Sequence, residues 1–417
     1  MPEIRPFRAL RYDFRRFNGD VSAVLAPPYD VLDQADKDAM LARNSRNIVA
    51  VDLPHIPPKE EGPQQAYLDA QFTLDTWVAE AVLVREEKPA LYLYHQTFEY
   101  EGKEITRKQF IAVVRLHDFG EGIVLPHEKT FGGPKADRLA LTKETRCNLS
   151  PVFGLFTDPD DAVGKAFAPV AKRKPDAVGT VENVKNALWI VPEDNIIQAV
   201  CSTLAPKKVF IADGHHRYTT ALNYRDHLSQ MHGDLPQDHP ANYVMIVLAS
   251  MDDPGCVIQG YNRVLVGNGV DVDTLTAAWA EGVEPTDDKN PDLRLYDGKS
   301  HRSVGLKFTN RAALDTLAAD RDASWRALDV AYLHMYLIDK LAAAQFGSAP
   351  EVRYVKSVPA ARELAESTGG VAVMPRPTPM AQLRAVSEAG ELMPQKSTFF
   401  YPKLATGLTI HPLTPDE

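Results

Sequence analysis

The spacing of apolar residues changes along the chain, and the changes mark its elements. Between 64 and 81, Tyr67, Leu68, Phe72, Leu74, Trp77 and Val78 recur at intervals that predict a helix with one buried face, and Pro63 suits its start. From Ala90 the period falls to two. Leu91-Tyr92-Leu93-Tyr94 and Thr97-Phe98-Glu99-Tyr100, parted by a polar break, precede a turn at Glu101-Gly102-Lys103-Glu104 and the run Gln109 to Val114, which together predict an antiparallel meander. Ala187 to Val191 reads as a strand, 194–204 as a short helix, and Lys208-Val209-Phe210-Ile211-Ala212 as a short buried strand before a helix over 218–230. A loop over 231–240 leads to the core strand Tyr243 to Ser250. Beyond Pro254 the pattern predicts a helix over 328–341, a strand at Val371-Ala372-Val373-Met374 and a short helix over 380–390 closed by glycine.

This order predicts an α+β (mixed α/β) fold with antiparallel strands. The length of 417 residues exceeds one ordinary core, so two lobes are expected, 1–250 and an additional C-terminal α/β lobe over 251–417 that packs on the site. With 44% hydrophobic and 24% charged residues the chain is globular, and the lack of an internal repeat or long low-complexity linker predicts lobes packed together. A formal charge of -10 argues against a surface that coats nucleic acid. Cys147, Cys201 and Cys256 are scattered, which predicts reduced thiols in a cytoplasmic protein and neither a disulfide framework nor a thiolate zinc site. The N-terminus lacks a signal-peptide pattern, and no run approaches the ~18 apolar residues of a membrane span.

Candidate chemistry concentrates at Asp213-Gly214-His215-His216-Arg217, between the predicted strand and its helix. Backbone N–H groups at a helix start lack internal partners and attract anions. Gly214 permits a tight turn or close approach of a phosphate, and Arg217 supplies a forked cation. Asp213 is suited to cap the helix, to orient a histidine or to hold a divalent metal. His215 and His216 are adjacent and point in different directions, so one belongs in the site and the other behind it.

Three further segments carry polar groups. Pro126-His127-Glu128-Lys129-Thr130, continued by a Gly-Gly-Pro loop to Lys135 and Arg138, has the character of an active-site loop. Glu128 is its candidate general base, and His127, Lys129, Lys135 and Arg138 are candidate phosphate contacts. Arg146, Asn148 and Ser150 form a polar strip around Cys147, which reads as buried structure. Met393-Pro394-Gln395-Lys396-Ser397-Thr398, with Phe399, Phe400, Tyr401 and Lys403 after it, either closes over a site from another lobe or docks the tail in a core.

These segments, with Ala26-Pro27-Pro28-Tyr29-Asp30, resemble the bacterial and archaeal family known as domain of unknown function 1015, nearly end to end. Asp213 to Arg217 followed by a helix with small residues is also similar to the nucleotide-phosphate motif of the ParB and sulfiredoxin superfamily, which includes free-serine kinases. That resemblance implies a ParB/sulfiredoxin-like core and, as ligands, a nucleotide (ATP or ADP) and Mg2+ held at Asp213. It implies a phosphotransferase acting on a small hydroxylated metabolite such as free serine or phosphoserine. Asp213, His215, His216 and Arg217 would surround the transferred phosphate, and Glu128 would activate the acceptor hydroxyl. Arg146 and Lys396 join the expected phosphate contacts. A phosphatase, or a nucleotide-binding regulator without turnover, would use the same residues, as a monomer or a homo-oligomer.

Overall fold

The period-two run after Ala90 folds as one long hairpin, Leu91–Tyr100 against Lys103–Arg115. The polar pair His95-Gln96 does not interrupt its strand, because both residues sit in complete ladders, facing Lys108 and Arg107 on one side and Ala187 and Asn186 on the other. Glu101 and Gly102 make the turn with φ of 51° and 74°, the pair of left-handed residues that a tight hairpin needs.

The computed structural model describes residues 1–58, 60–128 and 132–415, without the side chains of 132–135. The chain divides into two units. The first holds Met1–Pro126, the described chain from Gly132 through Cys256, and the chain from Pro402 onward; the second holds His127, Glu128 and Val257–Tyr401. The boundary between the two units lies after Cys256, and the C-terminal segment clusters with the first unit.

The first unit is built on β1 (Ile4–Arg5), β2 (Leu91–Tyr100), β3 (Lys103–Arg115), β4 (Val124–Leu125), β5 (Val152–Phe156), β6 (Ala177–Val181), β7 (Val184–Val191), β8 (Val209–Asp213) and β9 (Tyr243–Ser250). Their order is β4-β8-β5-β9-β3-β2-β7-β6, with β1 on β3. All pairs are antiparallel except β8 with β4 and β9 with β5. Phe110, Ala112, Val114, Ile246 and Leu248 face one side of this sheet and form a core with Val163, Phe167, Val200 and Tyr218 from helices. The helices of this unit include α1 (Gln64–Ala79), α2 (Gly132–Thr145), α3 (Ala162–Ala171), α4 (Asp194–Leu204) and α5 (His215–His232), and it is α3, α4 and α5 that supply those core residues.

Two helices depart from the sequence pattern where the candidate site lies. α5 starts at His215, three residues before the expected start at 218, because Gly214 takes the left-handed conformation (φ 86°) at its N-cap and turns the chain directly into the helix. The Gly-Gly-Pro segment is the first turn of α2, not a loop. Proline is tolerated there because first-turn N–H groups have no helical acceptor. In α1, Tyr67, Ala70, Leu74 and Trp77 are the buried stripe, while Leu68, Phe72 and Val78 are 39%, 74% and 44% exposed.

The second unit carries a six-stranded antiparallel sheet in the order Val283–Thr286, Ser303–Phe308, Leu293–Asp297, Val371–Pro375, Asn262–Val266, Glu351–Val355. Helix Val358–Thr368 places Ala361 and Ala365 against Val264, Tyr296 and Ala372 of the sheet. The helix expected over 328–341 becomes a short turn at Asp329–Ala331 and a π-helical stretch, Tyr332–Ala342. The protein is mixed α/β with mainly antiparallel sheets. Among the described residues no helix is long and apolar enough to cross a membrane.

Candidate functional site

β8 ends in an irregularity. Its register against β5 shifts between Ile211 and Asp213, so Asp213 leaves the regular pleat just where the strand gives way to Gly214 and α5. A side chain at Gly214 would be strained by its φ of 86° and would place its Cβ 2.9 Å from Nε of Arg217. The turn therefore requires glycine.

Three charged groups meet there. Lys403 Nζ donates to Asp213 Oδ2 at 3.1 Å, and Arg217 Nη2 lies 3.5 Å from the same oxygen. Arg217 Nη1 also donates to the carbonyl of Pro151. Burial alone would raise the Asp213 pKa, but Lys403 and Arg217 outweigh it and hold the carboxyl well below its ordinary range. His215 contributes in the same direction. His215 is buried and His216 half-buried, on a first turn that rotates them about 100° apart.

Lys403 is placed by the strands behind it. Arg107 of β3 is fully buried and donates to the Pro402 carbonyl at 2.7 Å and to Gln96 Oε1 of β2. Gln96 Nε2 in turn donates to the Lys403 carbonyl at 3.0 Å. The two carbonyls that bracket the Lys403 backbone are thus held by the central hairpin. Arg107 also stacks on Phe153, 4.7 Å from the ring centroid.

Arg138, one of the expected phosphate contacts, is engaged by protein groups. It is buried in α2, donates to Asp137 Oδ2 at 2.8 Å and to the Asp52 carbonyl at 2.6 Å, and lies 3.9 Å over the ring of Tyr29. Asp137 also takes His55 Nε2 at 2.7 Å and the Tyr67 hydroxyl at 3.0 Å. Burial pushes the Tyr67 phenol up to about 12, and burial also raises the Asp52 carboxyl, against the pull of Arg138 and Arg217. Tyr29 of the Pro27-Pro28-Tyr29 segment, Arg138 and Arg217 therefore belong to one neighbourhood of the first unit, to which Ser150 adds a 3.4 Å contact with Asp52 Oδ1.

The second unit gathers the other two segments. His127 is buried, its Nε2 2.9 Å from Thr398 Oγ1, and its carbonyl accepts the Met393 N–H at 2.8 Å. Glu128 Oε1 accepts the Lys396 N–H at 3.3 Å, and Lys396 Nζ stands 5.3 Å over the Tyr261 ring. Phe399–Tyr401 forms a strand on Val257–Gln259, so the aromatic run docks in the second unit. Lys129 and the side chain of Lys135 lie outside the described residues. Arg146 is exposed in a left-handed turn after α2, and the electrostatic neighbour seen for it is Tyr224, further along α5.

Among the described residues no three His, Cys, Asp or Glu side chains cluster to hold a metal. Asp213 is the motif's one carboxylate, and a single carboxylate suits Mg2+ that arrives already coordinated by nucleotide phosphates. Cys147 is buried, and burial pushes its thiol up to about 12, as a structural cysteine requires.

A mixed α/β unit that ends a strand in a carboxylate, turns through a left-handed glycine and starts a helix among an arginine, a lysine and two histidines defines the class of this protein. Residues 4–331 match the family described as protein of unknown function, DUF1015, and the chain belongs to that family. No curated protein matches it. Among solved structures, SbnI with a C-terminal truncation from Staphylococcus aureus aligns at 11% identity and TM-score 0.36, over 74% of this chain and 90% of that one. A mutant free serine kinase in complex with ADP aligns at 11% identity and TM-score 0.32, over 69% and 89%. Free serine kinase in complex with AMP aligns at 12% and 0.31, over 69% and 88%.

Proposed function

We propose that the Asp213–Arg217 turn with Lys403 binds the phosphates of a nucleotide, and that the protein transfers a phosphoryl group to a small hydroxylated metabolite, with free serine as the first candidate. The observation that carries the reading is the convergence of Lys403 and Arg217 on Asp213 at the start of an 18-residue helix. Two cations, the N-terminal end of the helix and a glycine without a Cβ form a surface for phosphate oxygens. Asp213 keeps both cations aimed at that surface.

In the proposed reaction the acceptor oxygen bonds to the transferred phosphorus, the P–O bond to the departing diphosphate breaks, and the hydroxyl proton passes to a base. His215 and His216 are the candidates for that base. Arg217 and Lys403 neutralise charge on the transferred group and on the leaving oxygen, where such catalysis gains most of its rate. Mg2+ bound with the nucleotide would add charge neutralisation beside Asp213.

The test is a thermal-shift panel of ATP, ADP and AMP with and without Mg2+, followed by phosphorus NMR with serine and other small alcohols. The reading expects nucleotide-dependent stabilisation that Arg217→Ala removes, and a new phosphate-ester signal that His215→Gln or His216→Gln abolishes. A panel without stabilisation, or full binding by Arg217→Ala, would overturn it. Asp213 being tied to two cations also favours a second reading, a nucleotide-binding regulator; stabilisation with an unchanged phosphorus spectrum would select that one.

A further inference from the structure

The sheet of the first unit has a cavity on the face that Arg107 and Gln96 do not use. Side chains alternate across a strand, so His95 and Lys108, paired in register beside Gln96 and Arg107, point to the opposite face from the groups that hold the Lys403 backbone. There, between the hairpin and α3, a cavity of about 280 Å³ is floored by the buried Leu93, Phe110, Phe156, Phe167 and Leu248. Close-packed interiors hold few voids larger than a water, and an apolar cavity of about 150 Å³ already takes up benzene. α3 leaves the space open because the residues it brings to the cavity on one of its faces are Gly164, Ala168 and Ala171. Bulky residues at those positions would close it.

Most polar groups on the wall are engaged by the protein. Asp158 pairs with Lys207 at 2.9 Å and accepts the Val163 N–H at 2.9 Å. Lys165 donates to the Asp160 carbonyl at 2.7 Å, and the Ser250 hydroxyl accepts the Asp252 N–H at 3.0 Å. Asp253 Oδ1 accepts the Gly255 N–H at 2.6 Å, and burial raises its carboxyl. Gln109 donates to Gln96 on the other face. Among the described residues that leaves His95, Lys108 and Asp161 on the wall with no side-chain hydrogen bond to the protein. Lys108 and Asp161 are exposed and of opposite charge, so water serves both and together they add no net charge. His95 is half-buried, its ring edge-on to that of Trp189 at 5.0 Å, and burial with Lys108 beside it lowers the imidazole to about 4. At pH 7 it therefore lines the cavity as a neutral ring with one donor and one acceptor.

We infer that this cavity binds a small uncharged heteroaromatic molecule, its flat body on the phenylalanine floor and its polar edge toward His95. Phe110 meets Phe167 at 5.3 Å and Phe156 at 6.4 Å between centroids, a wall on which a further aromatic ring packs edge to face or offset. An anion would meet Asp161 and Asp253, and a cation would meet Lys108 and Lys165. A plain hydrocarbon would take the imidazole out of water without giving it a partner, which costs free energy. The inference rests on this cavity alone and does not need the nucleotide reading.

The test uses the full chain at neutral pH with benzimidazole as the probe and toluene, benzoate and benzylamine as controls, read by calorimetry and saturation-transfer NMR. Benzimidazole is expected to bind saturably and about 5-fold more tightly than any control. His95→Phe keeps a flat ring and removes both polar atoms. It should weaken benzimidazole about 5-fold, the worth of one hydrogen bond, and leave toluene unchanged. Ala168→Trp and Ala171→Trp, at exposed positions on α3, should each fill the cavity, abolish benzimidazole binding and melt close to the parent. Lys403→Met, which addresses the nucleotide reading, should bind benzimidazole as the parent does. No saturable binding of benzimidazole would overturn the inference. So would benzoate or benzylamine binding as tightly, a His95→Phe protein that binds benzimidazole normally, or a folded tryptophan variant that still binds it.

Discussion

Lys403 Nζ and Asp213 Oδ2 meet at 3.1 Å across 190 residues of chain. The contact joins the end of β8, next to the sheet edge, to a tail that returns to the first unit after the second is complete. It is also the contact most exposed to test. Lys403→Met removes one of the two cations at the proposed phosphate site. Charge-assisted hydrogen bonds contribute about 1.5–3 kcal/mol, so nucleotide affinity should fall about 10- to 100-fold in calorimetry. Equal affinity in the variant would remove Lys403 from the site.

Asp213 gives the acid side of stability a predictable form. Its carboxyl is held well below its ordinary value, so it contributes stability above the unfolded value near 4 and loses that contribution as pH falls toward the folded one. Parent and Asp213→Asn should therefore differ by a constant amount from pH 7 to about 5, and the gap should narrow below about 4. Urea denaturation at a series of pH values measures the gap. A gap that widens on acidification contradicts the arrangement.

Gly214→Ala should fail for two separable reasons. The left-handed backbone costs an alanine about 1–2 kcal/mol, which a denaturation midpoint reports. Its Cβ would also sit 2.9 Å from Arg217 Nε, so phosphate binding should drop further than the stability loss explains. Normal binding in a merely less stable variant would show that the close approach is tolerated.

Arg107→Met tests how the tail is held. Removing the guanidinium leaves the buried Pro402 carbonyl without its donor, so stability should fall by about 1–3 kcal/mol. The loss should also appear as faster amide exchange in the segment from Pro402 onward, read by mass spectrometry. Unchanged protection there would mean that other contacts suffice.

The thiols should be inert. Burial pushes Cys147 and Cys256 up to about 12 and raises Cys201 as well. A chromogenic disulfide reagent at pH 8 should react slowly with the native protein and quickly with all three cysteines in denaturant. A fast native thiol would point to an opening of the fold at that residue.

The main elements were legible where periodicity was strong. The helix expected over 194–204 and the strand Tyr243 to Ser250 fall where spacing put them, because each buries one continuous stripe or run. α1 was legible as a helix but not in its exposed face, since Phe72 and Val78 are apolar residues that the fold leaves outside. The strand-to-helix turn at Asp213 was legible from composition. The start of α5 was not, because a left-handed glycine cap leaves no apolar signal. Lys403 stood out only as a cation near an aromatic run; its partner lies too far away in sequence for any local pattern to connect them. Asp52 carried no sequence signal, as a single acid after Val49-Ala50-Val51 looks like any helix end until Arg138 and Ser150 close around it.

The return of the tail to the first unit has a consequence for synthesis. Asp213, Gly214 and the start of α5 leave the ribosome long before Lys403, and at about 5–20 residues per second the delay is on the order of 10–40 s. During that interval the nascent chain holds a helix start and one arginine without its lysine. Competence to bind phosphate would be acquired late and in a single step, when the last strand of the second unit has been made and Pro402 reaches Arg107.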